Sequence, residues 1–246
     1  AVVLVGCTTQ PTKPPPLPPP SAASARSGDD AGESERQQKA FEVWVTDFRI
    51  SARTRGIDEV TLNAAFADVR YLPRVVELDR AQPEFTRPVW SYIDSAVSTQ
   101  RVALGQNKWL QFRAESDAAA ARYGVAPAIL VAIWGVESNY GSNFGSIQTV
   151  DALATLGFEG RREDWASGQL LAALRILQNG DIDRSQMIGS WAGAMGQTQF
   201  LPSVFLGYAV DADGDGRRDI WGSMADVMAS TANFLARSGW QADQPW

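Results

Sequence analysis

Histidine is absent from this sequence of 246 residues. A Ser-His-Asp triad, a Cys-His pair and a His-ligated zinc site are therefore excluded. The sequence has one cysteine, Cys7, so no intrachain disulfide can form. Any general acid or base must come from Asp, Glu, Lys or Tyr, and carboxyl groups are the first candidates.

Extended basic runs are also missing, and the formal net charge is -6 at pH 7. Nucleic acid is a poor candidate partner, because phosphate contacts need clustered Lys and Arg. Hydrophobic residues make up 45% of the chain and charged residues 20%, which is typical of a globular protein with a sizeable core.

The first residues form a short apolar run that ends at the only cysteine. Residues 4–7, LVGC, resemble a lipobox, so we expect residues 1–7 to be the C-terminal part of a lipoprotein signal peptide and Cys7 to carry a lipid. The alternative is an accidental apolar tail with a free or buried thiol. Residues 8–36 are first proline-rich and then rich in small and polar residues, which predicts a disordered linker. These features predict a periplasmic protein anchored to the outer membrane of a Gram-negative bacterium.

The remaining sequence has helical periodicity, and alternating strand patterns do not exceed a few residues. Apolar residues recur at helical spacing in five segments: residues 41–48, 57–69, 99–123, 161–179 and 223–238. Gly124 and Gly239 are predicted to end two of these helices. The predicted fold class is mainly α.

The most informative helix is predicted to begin at Pro127, because proline suits the first helical turn. Glu137 lies on the same face of this helix as three apolar residues, Leu130, Ile133 and Trp134. Partial burial on that face would raise the pKa of the carboxyl, as a general acid near neutral pH requires. A buried glutamate with a purely structural partner is the alternative, and position alone does not separate the two.

Three parts of the sequence resemble one known family. Residues 137–141, ESNYG, resemble the catalytic motif of lysozyme-like lytic transglycosylases. Residues 189–203, GSWAGAMGQTQFLPS, are similar to the second motif of the membrane-bound lytic murein transglycosylase B family, glycoside hydrolase family 103, and residues 77–85 to its N-terminal region. The resemblance implies a lysozyme-like catalytic core with an additional N-terminal helical region and an EF-hand-like loop. We expect residues 37–246 to form this catalytic domain, truncated at its C-terminus.

The resemblance also implies a reaction, the cleavage of the β-1,4 bond between N-acetylmuramic acid and N-acetylglucosamine in peptidoglycan. One glutamate, here Glu137, carries out both proton transfers, and the 6-hydroxyl of muramic acid attacks its own anomeric carbon to give a 1,6-anhydro product. Ordinary glycosidases need two carboxylates, and neither motif contains a second one. A lysozyme-type hydrolase and a non-catalytic peptidoglycan-binding lipoprotein remain as alternatives. The chemistry is expected to need no cofactor, and the protein is expected to be a monomer.

Substrate contacts are implied for residues of both motifs, an arginine pair and the last helix: Ser138, Asn139, Tyr140, Arg161, Arg162, Ser190, Met195, Gln197, Gln199 and Phe234. For the second motif the alternative role is loop packing, and for the arginines it is charge balance at a helix start. Phe234 departs from the family, which usually has tyrosine there and so a hydroxyl for the substrate.

An acidic loop resembles the front half of an EF-hand, with Gly at loop position 6. Acids occupy loop positions 1, 3, 5 and 9: Asp211, Asp213, Asp215 and Asp219. Position 12 is Gly222 instead of glutamate, and the resemblance implies that Asp226 closes the site and that Arg217 contributes its backbone carbonyl. Clustered acids repel one another unless a cation is present, so we expect a structural Ca²⁺ ion. An Asp/Gly-rich surface turn is the alternative.

Overall fold

The computed structural model describes residues 23–81, 88–242 and 244, where nearly all regular structure is helical. Within the described residues, the boundary between two compact units lies between residues 39 and 40. The first six helices are α1 (Ala23–Thr54), α2 (Glu59–Phe66), α3 (Pro73–Ala81), α4 (Val89–Ala96), α5 (Thr99–Gln111) and α6 (Arg113–Tyr123). The later elements are α7 (Pro127–Ser138), β1 (Ile147–Gln148), α8 (Thr149–Phe158), α9 (Glu163–Gln178), β2 (Ile188–Gly189), α10 (Pro202–Tyr208) and α11 (Met224–Arg237). The predicted mainly α class is confirmed.

Helix α1 begins inside the segment predicted to be a disordered linker. Residues 23–36 are helical, which differs from the predicted linker of residues 8–36. Good helix formers are frequent in residues 35–40, and Lys39 pairs with Glu35 at 2.8 Å across one helical turn. Residues 1–22, including Cys7, lie outside the described residues. Within the described residues, no single helix is long and apolar enough to cross a membrane, although α6 and α7, bent by 115°, pass that test together.

The single helix predicted over residues 99–123 is wrong, because the structure contains two helices there. Helix α5 ends before Phe112, whose φ of -114° and ψ of 37° interrupt the helical geometry before α6. The Phe112 ring packs edge-on against Trp134 of α7 at 5.6 Å, and this contact stabilises the break. Gly124 then ends α6 with a φ of 71°, as predicted for a C-cap.

The core lies around α7 and α8. Helix α8 is buried from Thr149 to Gly157, and α9 packs along it, while α11 packs along α6. The apolar face of α7 joins this core through Leu130 and Trp134, which are buried. The C-terminal end of α7, where Glu137 lies, is therefore held on a rigid base.

A short β ladder joins the segment that follows the first motif to the second motif. Strands β1 and β2 are antiparallel, with Ile147 opposite Gly189. Isolated bridges extend the ladder from Gly189 to Met195 and from Met195 to Phe200. We call these four residues the motif ladder. The loop after α7 approaches it closely, since a Cβ on Gly145 would lie 2.0 Å from the Gly189 carbonyl oxygen.

Candidate active site

Glu137 is the next-to-last residue of α7, a helix that begins at Pro127 as predicted. Leu130 and Trp134 on its face are buried, but Glu137 itself is accessible to solvent. The end of α7 borders an open pocket, so the residue is reached by solvent while its carboxyl is partly desolvated, as the predicted partial burial requires. The carboxyl is thus both accessible and surrounded by protein on several sides.

The pocket beside Glu137 is mostly apolar. Its volume is about 350 Å³, within the usual size of small-molecule sites. It is lined by Ile133, Glu137, Thr198, Gln199, Phe200, Leu201, Val204, Thr231, Phe234 and Leu235. In the described part of the chain, no other titratable group lines the pocket, and no cation or hydrogen-bond donor contacts the Glu137 carboxylate.

These surroundings raise the pKa of Glu137 above the ordinary value of 4.5. The cause is desolvation, because protein atoms replace part of the water that would stabilise the carboxylate. A higher pKa keeps more of the carboxyl protonated as the pH approaches neutrality. The group is therefore suited to donate a proton to a leaving oxygen.

Glu137→Gln should raise the melting temperature of the protein near neutral pH. The pKa of Glu137 is higher in the folded state, so its stabilising contribution is complete below the unfolded pKa and is lost as the pH rises through the folded pKa. The difference in melting temperature between the variant and the wild type should therefore grow as the pH rises above the ordinary carboxyl pKa of 4.5. Differential scanning fluorimetry measures it, and a difference that stays constant or shrinks over this range would contradict the desolvation.

The turn after α7 is held by its own side chains. Ser138 is fully buried, donating a hydrogen bond to the Trp134 carbonyl at 3.1 Å and accepting one from the Gly141 N–H at 3.2 Å. Asn139 and Tyr140 adopt φ values of 49° and 57°, in the left-handed region. The structure thus differs from the prediction that Ser138 binds substrate, because both hydrogen-bonding functions of its buried hydroxyl are used within the turn.

Tyr140 lies between α5 and α7, where two glycines make room for it. A Cβ on Gly105 or Gly135 would lie 2.4 or 2.6 Å from atoms of its side chain. Its hydroxyl donates to the Arg101 carbonyl at 3.0 Å, and its ring meets Trp134 edge-on at 5.6 Å. Tyr140 therefore fixes the turn against both helices, and its substrate contact stays a prediction.

Two residues of the second motif lie in the protein interior. Met195 is fully buried, and Gln197 is 8% exposed. The Gln197 side chain accepts a hydrogen bond from the Trp134 indole N–H at 2.8 Å and donates one to the Trp221 carbonyl at 2.7 Å. Both residues were predicted to bind substrate. The structure differs from both predictions. Met195 lies in the core as part of the motif ladder, and the Gln197 side chain uses its oxygen and its nitrogen in hydrogen bonds to protein groups.

Two other predicted residues do line the pocket with Glu137, namely Gln199 and Phe234. Gln199 has a φ of 51° and donates to the carbonyls of Phe144 at 3.0 Å and Gly196 at 2.9 Å. Its side-chain amide is thus fixed at the edge of the pocket. Phe234 packs against Tyr208 at 5.1 Å and presents an apolar ring.

Ser190 and Asn139 are not in the lining of this pocket. The Ser190 hydroxyl accepts a hydrogen bond from the Ala194 N–H at 3.1 Å and holds the loop of the second motif. The Asn139 side chain donates to the Ser142 hydroxyl at 2.7 Å. Both side chains remain partly accessible, and their substrate contacts stay predictions.

The arginine pair surrounds a buried carboxylate. Arg161 donates to both carboxylate oxygens of Asp79, at 2.5 and 2.6 Å, and this bonding holds the pKa of Asp79 below its ordinary value. Arg162 lies 3.6 Å from the same carboxylate and 3.7 Å from the ring centre of Trp165. Both arginines line a second pocket of about 390 Å³. The contact with Asp79 favours a structural role for Arg161, and substrate binding by the pair stays a prediction.

Sequence reasoning missed two polar residues of the Glu137 pocket, Thr198 and Thr231. Thr231 lies one helical turn before Phe234, so the i, i+3 spacing on α11 could have indicated it. Its hydroxyl donates to the Val227 carbonyl at 2.8 Å. The hydroxyl of Thr198 is buried and has no hydrogen-bond partner among the described residues. Burying a hydroxyl without a hydrogen bond costs free energy, so Thr198 is a candidate to bond a ligand.

The acidic loop brings three carboxylates together, those of Asp211, Asp213 and Asp226, with oxygens within 4.8 Å of one another. Asp226 is fully buried and accepts hydrogen bonds from the N–H groups of Ala212 at 2.7 Å and Asp219 at 2.6 Å. Desolvation, together with the nearby negative charges, raises the pKa of Asp226 to about 6. Converging carboxylate oxygens of this kind suit a hard cation such as Ca²⁺.

Of the other two predicted ligands, the Asp215 carboxylate does not belong to this cluster, and the contribution of the Arg217 backbone carbonyl stays a prediction. The Asp215 carboxylate instead accepts the Arg217 N–H at 2.8 Å in an exposed turn. Ser223, which was not predicted, donates to Asp213 at 2.6 Å and accepts from the Asp226 N–H at the start of α11. The three carboxylates of Asp211, Asp213 and Asp226 are suited to bind a cation. The metal site itself stays a prediction.

A family model described as "Transglycosylase SLT domain" matches residues 40–246. The chain belongs to this family. The chain is 34% identical over 195 residues to membrane-bound lytic murein transglycosylase B of Escherichia coli (strain K12). That alignment covers 75% of this chain and 54% of the relative. The resemblance stated from the sequence motifs is confirmed.

Solved structures of lytic transglycosylases share the fold. SltB3 from Pseudomonas aeruginosa, in complex with NAG-NAM-pentapeptide, is 56% identical with a TM-score of 0.81, and the match covers 84% of this chain and 55% of that one. Slt35 from Escherichia coli, in complex with calcium, is 32% identical with a TM-score of 0.72, covering 84% and 65%. This chain spans little more than half the length of SltB3. The predicted lysozyme-like core is confirmed.

Proposed function

We propose that this transglycosylase SLT domain cleaves the β-1,4 bond between N-acetylmuramic acid and N-acetylglucosamine in peptidoglycan and forms a 1,6-anhydromuramic acid end. The single observation that carries the proposal is the lone carboxyl of Glu137, with its raised pKa, in a mostly apolar pocket. Complexes of SltB3 with NAG-NAM-pentapeptide and with NAG-anhNAM-pentapeptide support it. The activity would serve cell-wall remodelling and turnover.

In the proposed reaction, protonated Glu137 donates its proton to the glycosidic oxygen, and the bond from that oxygen to the anomeric carbon of muramic acid breaks. The 6-hydroxyl oxygen of the same sugar then bonds to the anomeric carbon, while the Glu137 carboxylate takes the hydroxyl proton. The carboxyl is thereby returned to its starting state. An intramolecular nucleophile is already in position, so no second carboxylate has to activate water.

The apolar lining supports this route over hydrolysis. Ile133, Leu201 and Val204 line the pocket beside Glu137 and present apolar atoms to a bound sugar. A sugar seated on them would displace water from the anomeric centre and keep the pKa of Glu137 raised. We further propose that Gln199 and Phe234 contact the sugar, with Phe234 supplying an apolar surface and no hydroxyl.

Digestion of purified sacculi tests the proposed function. Chromatography with mass spectrometry should find that every new muramic acid end is 1,6-anhydromuramic acid. Reducing muramic ends would instead identify a lysozyme-type hydrolase. Sedimentation with sacculi and no new ends would identify a peptidoglycan-binding protein without this activity.

We infer that the acidic loop holds a structural Ca²⁺ ion through Asp211, Asp213 and Asp226. The calcium complex of Slt35 supports the inference. The ion would offset the mutual repulsion of these carboxylates and fix the start of α11. None of the three lines the Glu137 pocket, so the proposed chemistry does not use the ion.

Calcium at about 100 times its dissociation constant should raise the melting temperature by about 5–10 °C. Asp211→Asn should remove most of this increase, because it takes one charged ligand from the cluster. Asp47→Asn, at an exposed position of α1, is the matched control and should keep the full increase. Equal calcium-dependent shifts in the wild type and Asp211→Asn would contradict the site.

We also propose that the protein acts in the periplasm, with Cys7 lipidated at the outer membrane and part of residues 8–36 as a spacer before the catalytic domain of residues 37–246. A spacer of this kind would let an anchored enzyme reach a nearby polymer. Mass spectrometry of membrane-extracted full-length protein should find acylated Cys7, and an unmodified thiol would contradict the anchor.

A further inference from the structure

One turn of the acidic loop, residues 219–222, lies against the second motif. We call it the loop turn. Its backbone is tied to the start of α11, since the Asp219 N–H donates to the Asp226 carboxylate at 2.6 Å and the Ser223 N–H donates to the Asp219 carbonyl at 3.2 Å. Asp226 is fully buried, so the loop turn begins at a fixed point.

The carboxylate of Asp219 fixes the shape of the loop turn. One of its oxygens accepts hydrogen bonds from the N–H groups of Trp221 and Gly222, each at 2.9 Å. A carboxylate that bonds to the backbone two and three residues ahead holds a turn in one conformation. The packing is close, because a Cβ on Gly222 would lie 2.8 Å from the other carboxylate oxygen. Within the described residues, Asp219 does not belong to the three converging carboxylates, and its bonded oxygen holds the turn instead.

The loop turn holds Gln197 of the second motif at two points. The Ile220 carbonyl accepts a hydrogen bond from the Gln197 N–H at 2.9 Å, and the Trp221 carbonyl accepts one from the Gln197 side-chain amide at 2.7 Å. The backbones are in close contact, since a Cβ on Gly196 would lie 2.7 Å from the Ile220 carbonyl oxygen. A displacement of the loop turn therefore moves the second motif.

Gln197 connects this support to two parts of the Glu137 pocket. Residues 198–200 follow it directly and line the pocket. Its side-chain oxygen accepts a hydrogen bond from the Trp134 indole N–H at 2.8 Å, and Trp134 lies one helical turn before Glu137 on α7. None of residues 219–222 lines the pocket itself. The loop turn thus supports both the catalytic carboxyl and the motif part of the lining from outside the pocket.

We propose that Asp219 is a positioning residue for the Glu137 pocket. Its carboxylate orients two carbonyl groups of the loop turn, these groups fix Gln197, and Gln197 holds the pocket lining and the end of α7. The reaction that the pocket carries out rests on the proposed function. The support of the pocket rests only on the contacts of the loop turn.

Three substitutions of Asp219 separate its hydrogen bonds from its charge. Asp219→Asn keeps an oxygen that accepts both N–H groups and removes the charge. Asp219→Glu keeps the charge but is longer by one methylene group, and Asp219→Ala removes the acceptor. Since the hydrogen bonds carry the support, asparagine should preserve the pocket, whereas alanine and glutamate should disturb it.

Turnover of solubilised glycan strands, measured in one calcium-containing buffer, should follow this order. Asp219→Ala and Asp219→Glu should lower kcat roughly tenfold, because a misplacement of about 1 Å costs up to roughly 100-fold and the expected displacement is smaller. Asp219→Asn should stay within about twofold of the wild type. Asp58→Ala is the matched control, because it also removes a carboxylate that accepts a backbone N–H, at the start of α2 and outside the pocket. It should keep the wild-type kcat even if it lowers the stability.

The indole signals of the protein give a second readout that needs no turnover. The ¹H–¹⁵N signal of the Trp134 indole reports its bond to the second motif. It should move in Asp219→Ala and Asp219→Glu and keep its wild-type position in Asp219→Asn. The Trp240 indole donates to the Gly124 carbonyl outside the pocket, and its signal should stay in place in all three variants. Asp58→Ala should leave both signals in place.

Three results would overturn the positioning role: an unchanged kcat in Asp219→Ala, a lowered kcat with an unmoved Trp134 signal, or an Asp219→Asn variant as impaired as Asp219→Ala. If Asp219→Ala does not fold, Asp219→Glu decides by the same two measurements. A wild type without turnover would refute the proposed function, while the indole signals would still decide whether Asp219 holds Trp134 in place.

Discussion

Replacing Glu137 with glutamine should lower the rate of anhydromuropeptide release roughly 10³-fold or more. The amide can neither donate the proton that the leaving oxygen needs nor take the proton of the 6-hydroxyl, so both transfers are lost. Among the described residues, no second titratable group lines the pocket to replace it. The rate is measured by chromatography of soluble products from purified sacculi at saturating substrate.

The matched control is Glu115→Gln, which changes a glutamate on α6 that does not line the pocket. This variant should keep the wild-type rate. Glu137→Gln should remain folded, with its melting temperature at or above that of the wild type near neutral pH, so loss of activity cannot come from unfolding. A Glu137→Gln variant that keeps more than a tenth of the wild-type rate would contradict the proposal that Glu137 is the only acid and base of the reaction.

The sequence predicted the elements whose signals are local. Helix α7 begins at Pro127 and α6 ends before Gly124, because a proline in the first turn and a left-handed glycine after the last turn each act within a few residues. Helical spacing also assigned Leu130 and Trp134 to the core correctly. Since Glu137 follows on the same face, its place at the end of a buried helix could be predicted from the sequence.

Features that depend on distant contacts were not predicted. The break between α5 and α6 depends on Phe112 meeting Trp134, two residues far apart in the sequence. Val60 fits the apolar spacing of its helix but is exposed, because α2 turns Thr61 and Leu62 toward the core. Periodicity reports a face of a helix, and tertiary packing decides which side chains of that face are covered.

The roles of individual motif residues were predicted least well. Ser138, Met195 and Gln197 belong to the family motifs, yet the structure uses all three inside the protein. A motif contains residues that build a site as well as residues that touch the substrate, and resemblance to a family does not separate the two kinds. Hydrogen-bond partners separate them, because a side chain whose donors and acceptors are all bonded to buried protein groups has none left for a ligand.

Gln197 provides the sharpest test of that distinction. Replacing Gln197 with alanine should lower the free energy of unfolding by about 3 kcal/mol. The change leaves the Trp134 indole N–H and the Trp221 carbonyl buried without their partners. It also opens a space where the packing is close, since a Cβ on Gly141 would lie 2.2 Å from the side-chain oxygen of Gln197. Urea unfolding measures the loss.

Gln186→Ala, at an exposed site whose side chain forms no hydrogen bond within the described residues, is the matched control and should be nearly neutral. The kinetics separate the two roles of Gln197. Loss of a substrate contact would raise KM and leave the stability unchanged, whereas loss of the support described here should lower stability and kcat together. Trp134 lies one helical turn before Glu137, so a shift of its indole would move the catalytic carboxyl relative to the bound sugar. A Gln197→Ala variant that is as stable as the wild type and has a raised KM would instead indicate that Gln197 binds substrate, as the sequence predicted.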